Sequence, residues 1–196
     1  LIIYRPKNIP NLGATVMRWR QAASEAGLPG LFLTAAESLD VIDVNEYGFD
    51  AAVEFPPHQA NPEDITSKVK TINPAFQGHV YEYSALPNTF GKKNPAHYEL
   101  FKTVMPSWDN EARKPGRGDS FANATPASYA QWLSNALDIT LAKDNPDRRL
   151  IFINAWNEWG EGAHLEPDLA NGYAYLHATA SELARRITSR DLELAV

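Results

Sequence analysis

Short apolar runs alternating with helical patterns constrain this fold more than any other feature of the chain. Residues 1–4, 31–34, 51–55, 102–106 and 150–153 are rich in β-branched, aromatic and small apolar residues. They lack the strict polar alternation of a half-solvated strand, so they read as strands covered on both faces. Between them lie helices. Val16, Trp19, Ala22, Ala23 and Ala26 share one face, and Gly27 follows as a stop. Asn61-Pro62-Glu63-Asp64 has the form of a helix start, with a cap, proline and early acids. Thr125-Pro126 opens a helix bearing Tyr129, Trp132, Leu133, Ala136, Leu137 and Leu141 at core spacing. A last helix is expected from about Gly172, with Leu176, Ala180, Leu183, Ala184 and Ile187 inward. Strand and helix in alternation predict an α/β fold on a parallel sheet, with about five strands and four helices. Residues 71–102 show no period and read as a long irregular insertion.

Composition narrows the function. Eighteen basic against 24 acidic residues leave a net charge of −6. That balance argues against a nucleic-acid partner, which needs clustered positive charge. No cysteine is present, which excludes a disulfide scaffold, a zinc–thiolate site and a thiol nucleophile. The absence of cysteine favours a cytoplasmic setting. No apolar run approaches the ~18 residues of a membrane span. The opening Leu1-Ile2-Ile3-Tyr4 is interrupted by Arg5-Pro6 and has no basic lead, so it does not read as a signal peptide. It reads as a strand taken from inside a larger fold.

Parallel α/β folds bind ligands at the C-terminal ends of their strands. The residues expected there are Tyr4 and Arg5, Glu37, Glu54 and His58, then Trp108, Asp109 and Asn110. After the fifth run come Asn154, Trp156, Asn157, Glu158, Trp159 and Glu161. Aromatic planes, carboxylates and amides together suit a sugar, whose C–H faces stack and whose hydroxyls hydrogen-bond. No phosphate-binding glycine loop is present. Glu158 and Glu161 are the candidate catalytic pair, since glycosidic cleavage commonly uses two carboxyl groups. Gly160 and Gly162 let the chain turn so that both point into one cleft. The alternative is that the two carboxylates cap a helix or form ion pairs. Glu161-Gly162-Ala163-His164 also has Glu-x-x-His spacing, but a di-iron site needs two such helices, and the glycines disfavour even one. No metal or cofactor is therefore expected.

Asn154-Ala155-Trp156-Asn157-Glu158-Trp159-Gly160-Glu161-Gly162, with Leu165-Glu166-Pro167-Asp168 and Gly172-Tyr173-Ala174-Tyr175-Leu176, resembles the WbsX-type glycosyltransferase family. That family is related to glycoside hydrolase family 99, the endo-α-mannosidases. Tyr4-Arg5-Pro6, the segment Gly48-Phe49-Asp50 through Pro57-His58, and Trp108-Asp109-Asn110 with Arg113 and Arg117-Gly118 agree. The resemblance implies a (β/α)8 barrel of the TIM type, incomplete here, with the five runs as about strands four to eight. Residues 1–196 would then be the C-terminal part of one barrel domain, its open edge unpaired or covered by another chain. It also implies a retaining mechanism on an α-linked, mannoside-like glycan. Glu158 would deprotonate the sugar's own 2-hydroxyl to give a 1,2-anhydro sugar, and Glu161 would be the general acid/base. The mannosidases tend to carry a bulkier residue where this chain has Gly160.

Three functions are thus open: a glycosidase, a glycosyltransferase of lipopolysaccharide or polysaccharide biosynthesis, and a non-catalytic sugar-binding barrel. Each has a glycan or oligosaccharide as partner. Trp108, Trp156 and Trp159 are the platform candidates, whereas Trp19 and Trp132 fall on core faces. His58 is the histidine best placed for sugar contact. Arg117-Gly118-Asp119 reads as a turn, and Thr125 as a helix cap rather than part of a glycosylation sequon.

Overall fold

A computed structural model describes residues 1–39, 42–92 and 97–193. Five parallel strands form the main sheet: β1 (Ile2–Ile3), β2 (Thr34–Glu37), β3 (Ala51–Glu54), β5 (Leu100–Val104) and β7 (Ile151–Ile153). Their order is β1-β2-β3-β5-β7, so each new strand adds to the same edge. Among the described residues no strand pairs with the outer edge of β1 or of β7, and the curled sheet stays an open half-barrel. β4 (His79–Glu82) and β6 (Asp119–Ala122) form a parallel side sheet, and β8 (Asn157–Glu158) and β9 (Ala163–His164) a short antiparallel hairpin.

Among the described residues, three α-helices accompany the strands: α1 (Leu12–Glu25), α2 (Pro126–Leu141) and α3 (Ala174–Glu193). α1 buries Leu12, Val16 and Ala23, while Trp19 packs half-buried beside them. Gly27 follows in the left-handed region that favours glycine. α2 starts where Thr125 and Ser128 cap one another's backbone N–H, and it buries Tyr129, Trp132, Leu133, Ala136, Leu137 and Thr140. Tyr175 of α3 packs on Tyr129 with ring centres 5.5 Å apart. The side chain of Ile187 lies outside the described residues.

The sheet separates two kinds of surface. Leu33, Ala35, Ala52 and Leu100 face the α1 layer. Ala36, Ala51, Val53 and Phe101 face the other way, with Phe32, Phe55 and Phe152 packed against them. Alternate residues along each strand divide between the two, which explains why the runs carry no polar alternation.

Four expectations are corrected. In α3, Ala180, Leu183 and Ala184 are exposed rather than inward, and Tyr175 and Glu182 are the buried residues. Asn61-Pro62-Glu63-Asp64 starts no α-helix. Ile65 N–H donates to Val80 O and Glu82 N–H to Glu63 O, so this segment lies along β4. Asp64 meanwhile accepts bonds from the Thr66 N–H and hydroxyl, a local alternative to helix capping. A short 3-10 turn at Thr66–Lys68 is all that forms. The second strand begins at Thr34 rather than residue 31, because Asp50 takes the Leu33 N–H with its carboxylate. Finally, residues 71–102 are not wholly irregular. They contain β4, whose partner β6 lies some 40 residues further on (His79 opposite Asp119), beyond any local pattern.

Candidate active site

The strand ends are stitched together before any functional group is presented. Asn154 N–H donates to Val104 O at 2.9 Å, and its side-chain amide donates to Pro56 O at 2.7 Å. Asn154, expected to face a sugar, thus joins the ends of β3, β5 and β7. Its orientation fixes the start of the segment that carries both glutamates.

That segment folds as the β8–β9 hairpin. Asn157 pairs with His164 and Glu158 with Ala163. The connecting turn Trp159–Glu161 ends at Gly162, whose φ of 58° is in the left-handed region. A Cβ at Gly162 would stand 3.0 Å from Asp109 N. Asp109 N–H donates to Glu161 O at 2.7 Å, and the Ser107 hydroxyl donates to Gly162 O. Glycine is required here for both backbone angle and close approach.

Glu158 and Glu161 converge on one cation. Arg113 Nη2 donates to Glu158 Oε1 at 2.7 Å, and Arg113 Nη1 to Glu161 Oε1 at 2.8 Å. The ion-pair alternative raised by the sequence is therefore realised, but in a form that brings both carboxyl groups to one point. Gly160 makes room for it, since a Cβ there would lie 3.1 Å from Arg113 Nε. The loop bearing Arg113 is held from within. Glu111 accepts the N–H groups of Gly116 and Gly118, and Arg113 N–H donates to Asn110 O. Burial pushes the Glu161 carboxyl above its ordinary range, Arg113 opposes this, and the neighbouring Glu158 adds to it. The second oxygen of each carboxylate makes no bond to Arg113.

A cleft of about 450 Å³ adjoins this cluster, lined by His58, Tyr81, Trp108, Asn110, Lys114 and Asp119 among others. His58 stacks on Phe55 with centres 6.1 Å apart. Burial, then Arg5 and Lys114, lower its pKa. Trp108 is only 7% exposed, so it supplies an edge of the cleft and not an open platform. Tyr4 and Arg5 are exposed at the end of β1, with Tyr4 packed against Phe55 at 5.0 Å. Asp109 is exposed, and its Oδ1 accepts the Glu111 N–H. Asn157, Trp156 and Trp159 are exposed around the carboxylates.

Glu54 departs most from its expected place. It has no exposed surface, accepts from Lys102 Nζ and from Thr103 N–H at 3.0 Å, and cannot be reached by a ligand. The alternation of β3 explains this. Val53 faces the sheet's inner surface, so Glu54 faces the helix layer. Glu37, at the end of β2, is likewise buried and accepts from the Tyr98 hydroxyl at 2.5 Å.

Sequence reasoning assigned no role to Arg113, Lys114, Tyr81 or Asp119. Arg113 was visible only as part of a motif. Tyr81 comes from the unforeseen β4. Among the described residues, no three or more His, Asp or Glu side chains are grouped to hold a metal ion.

The family model for glycosyltransferase WbsX matches residues 1–179. The chain belongs to the WbsX glycosyltransferase family. Two relatives, each called uncharacterized protein WxcX, come from two strains of Xanthomonas campestris pv. campestris. Each is 39% identical over 185 residues, which is 94% of this chain and 27% of the relative. The chain thus spans about a quarter of the length of these relatives. A solved glycoside hydrolase-like protein superposes with a TM-score of 0.55 at 15% identity, over 92% of this chain and 53% of its own. That likeness shows the fold, an α/β half-barrel of the TIM type.

Proposed function

We propose that this chain carries the reacting centre of an enzyme that breaks an α-linked, mannoside-like glycosidic bond with retention. Its convergent Glu158 and Glu161, one bond each from the same guanidinium, are the observation that carries this reading. Glu158 takes the proton of the sugar's 2-hydroxyl, and the freed oxygen attacks the anomeric carbon to close a 1,2-anhydro ring. Glu161 gives its proton to the departing glycosidic oxygen. It then takes a proton from the water that opens the ring, and Glu158 returns its own to the 2-oxygen. The partly buried, raised carboxyl of Glu161 suits the acid role, and the more exposed Glu158 the base. Trp156 and Trp159 flank the pair as stacking surfaces, while Asn157, Asp109, Arg5, Tyr4 and His58 surround the reacting sugar.

Transfer is the second reading, and the family's own description favours it. The same centre would then deliver the sugar to a hydroxyl acceptor instead of water. Glu161→Gln should abolish turnover of an activated α-mannoside while leaving the circular dichroism spectrum unchanged. Unchanged turnover would reject the assignment. Product analysis with water alone, and with a nucleotide-sugar donor plus a glycan acceptor, separates hydrolysis from transfer.

A further inference from the structure

Beyond the carboxylates, on the far side of Trp159, lies a trough of about 700 Å³. Trp159, His164, Pro167, Leu169 and Tyr173 line it. The indole is unusually well fixed for an exposed group. One face stacks on His164, with ring centres 3.7 Å apart and planes 18° from parallel. Trp159 Nε1 donates to Glu166 Oε2 at 2.7 Å. His164 is held in turn by Asp168 Oδ2 at 3.1 Å. Asp168 also caps the loop behind the trough, accepting the N–H groups of Ala170 and Asn171. With its N–H already bonded and one face covered, Trp159 offers a single bare π-face, and the residue remains 50% exposed. Leu169 and Tyr173 stand fully open and 64% exposed beside it.

We infer that this trough is a second sugar subsite, which takes a neighbouring ring of an oligosaccharide against the open face of Trp159. A hydrogen-bonding ligand has little to gain from the indole, whereas the apolar C–H face of a pyranose matches it. Glu166, which fixes the indole, is an acceptor beside it for the ring's hydroxyls. Trp159 stands between Glu158 and Glu161 in the same turn, so a ring stacked on it neighbours the reacting centre. The natural ligand is therefore at least two rings long. The inference rests on the proposed function only for that reacting centre. The trough is built wholly from residues 159–173, so binding is measurable without turnover.

The indole N–H signal of Trp159, assigned by its loss in Trp159→Phe, is followed by NMR on the intact chain. The probes are millimolar panels of α-linked manno- and gluco-oligosaccharides of one to four rings. The expected result is a shift for probes of two or more rings, weakened roughly tenfold by Tyr173→Ala. If Glu161→Gln removes binding and Tyr173→Ala does not, the sugar sits on the carboxylates alone. The trough is then rejected while the proposed function stands. No shift with any probe overturns the inference. So does a Trp159 response to phosphatidylcholine or phosphatidylglycerol vesicles without a response to sugars, which would make the patch a lipid contact.

Discussion

Replacing Arg113 by methionine keeps the stem and deletes the charge that joins the two glutamates. Two charge-assisted bonds, at 2.7 and 2.8 Å, are lost. Solvent screens them, because Arg113 is 52% exposed and Glu158 and Glu161 are 38% and 22% exposed. Each bond is then worth about 0.5–1 kcal/mol. Losing the Glu161 bond removes the strongest influence that holds its carboxyl down. The direction is upward, since burial and Glu158 both favour the neutral acid and only the cations oppose them. Repulsion by Glu158, no longer offset, adds to the rise. The carboxyl ¹³C signal of Glu161, assigned through Glu161→Gln, is titrated by NMR in both proteins. The wild-type difference should shrink in about 1 M salt, where the screening length is about 3 Å. Arg113→Lys should restore part of the shift, and Arg113→Met should lower global stability by no more than about 1–2 kcal/mol, the sum of the two bonds. A Glu161 titration that is unmoved or moves downward would refute the electrostatic role given to Arg113.

Buried Lys102–Glu54 should behave oppositely, as a stability element. Lys102→Met strands a carboxylate and should cost about 3–5 kcal/mol in denaturant unfolding at pH 8, and less at pH 5, where Glu54 takes up a proton. Burial pushes Glu54 up to about 7 from 4.5, with Lys102 opposing. Its contribution is therefore full below about pH 4.5 and lost as pH rises through 7, a fall on the order of 3 kcal/mol that Glu54→Gln should remove. Gly162→Ala forces a Cβ against Asp109 at positive φ and should cost about 1–3 kcal/mol, read as a lowered Tm. Thr125→Ala removes the cap of α2 and should cost about 1 kcal/mol by the same measurement.

The five strands were legible because each is a short apolar run local to a few positions, with β2, β3 and β5 buried throughout and the edge strands β1 and β7 only partly so. α2 was legible to its cap, since Thr125, Pro126 and the Trp132 face all lie within two turns. Glu54 was misjudged for a reason also local: a strand's last residue points inward or outward by parity, and one residue of register separates a ligand contact from a buried ion pair. β4 and Tyr81 were invisible because their partner is remote in sequence. Arg113 was unreadable as a role for the same reason. Its meaning lies in two glutamates 45 and 48 residues away. The convergence of the two glutamates was legible because their spacing and the glycines between and after them are contiguous.

The contact between Gly78 and Gly118 carries a consequence for motion. A methyl group on Gly78 would fall 1.9 Å from Gly118 O, and one on Gly118 would strike Glu111. The side sheet is thereby seated directly on the root of the loop that holds Arg113, with no side chain between to act as a cushion. Displacement of β4 against β6 would press on that root, and through it on the guanidinium. A disturbance of that small sheet, remote from any sugar, would reach Glu158 and Glu161 together, because one arm holds both.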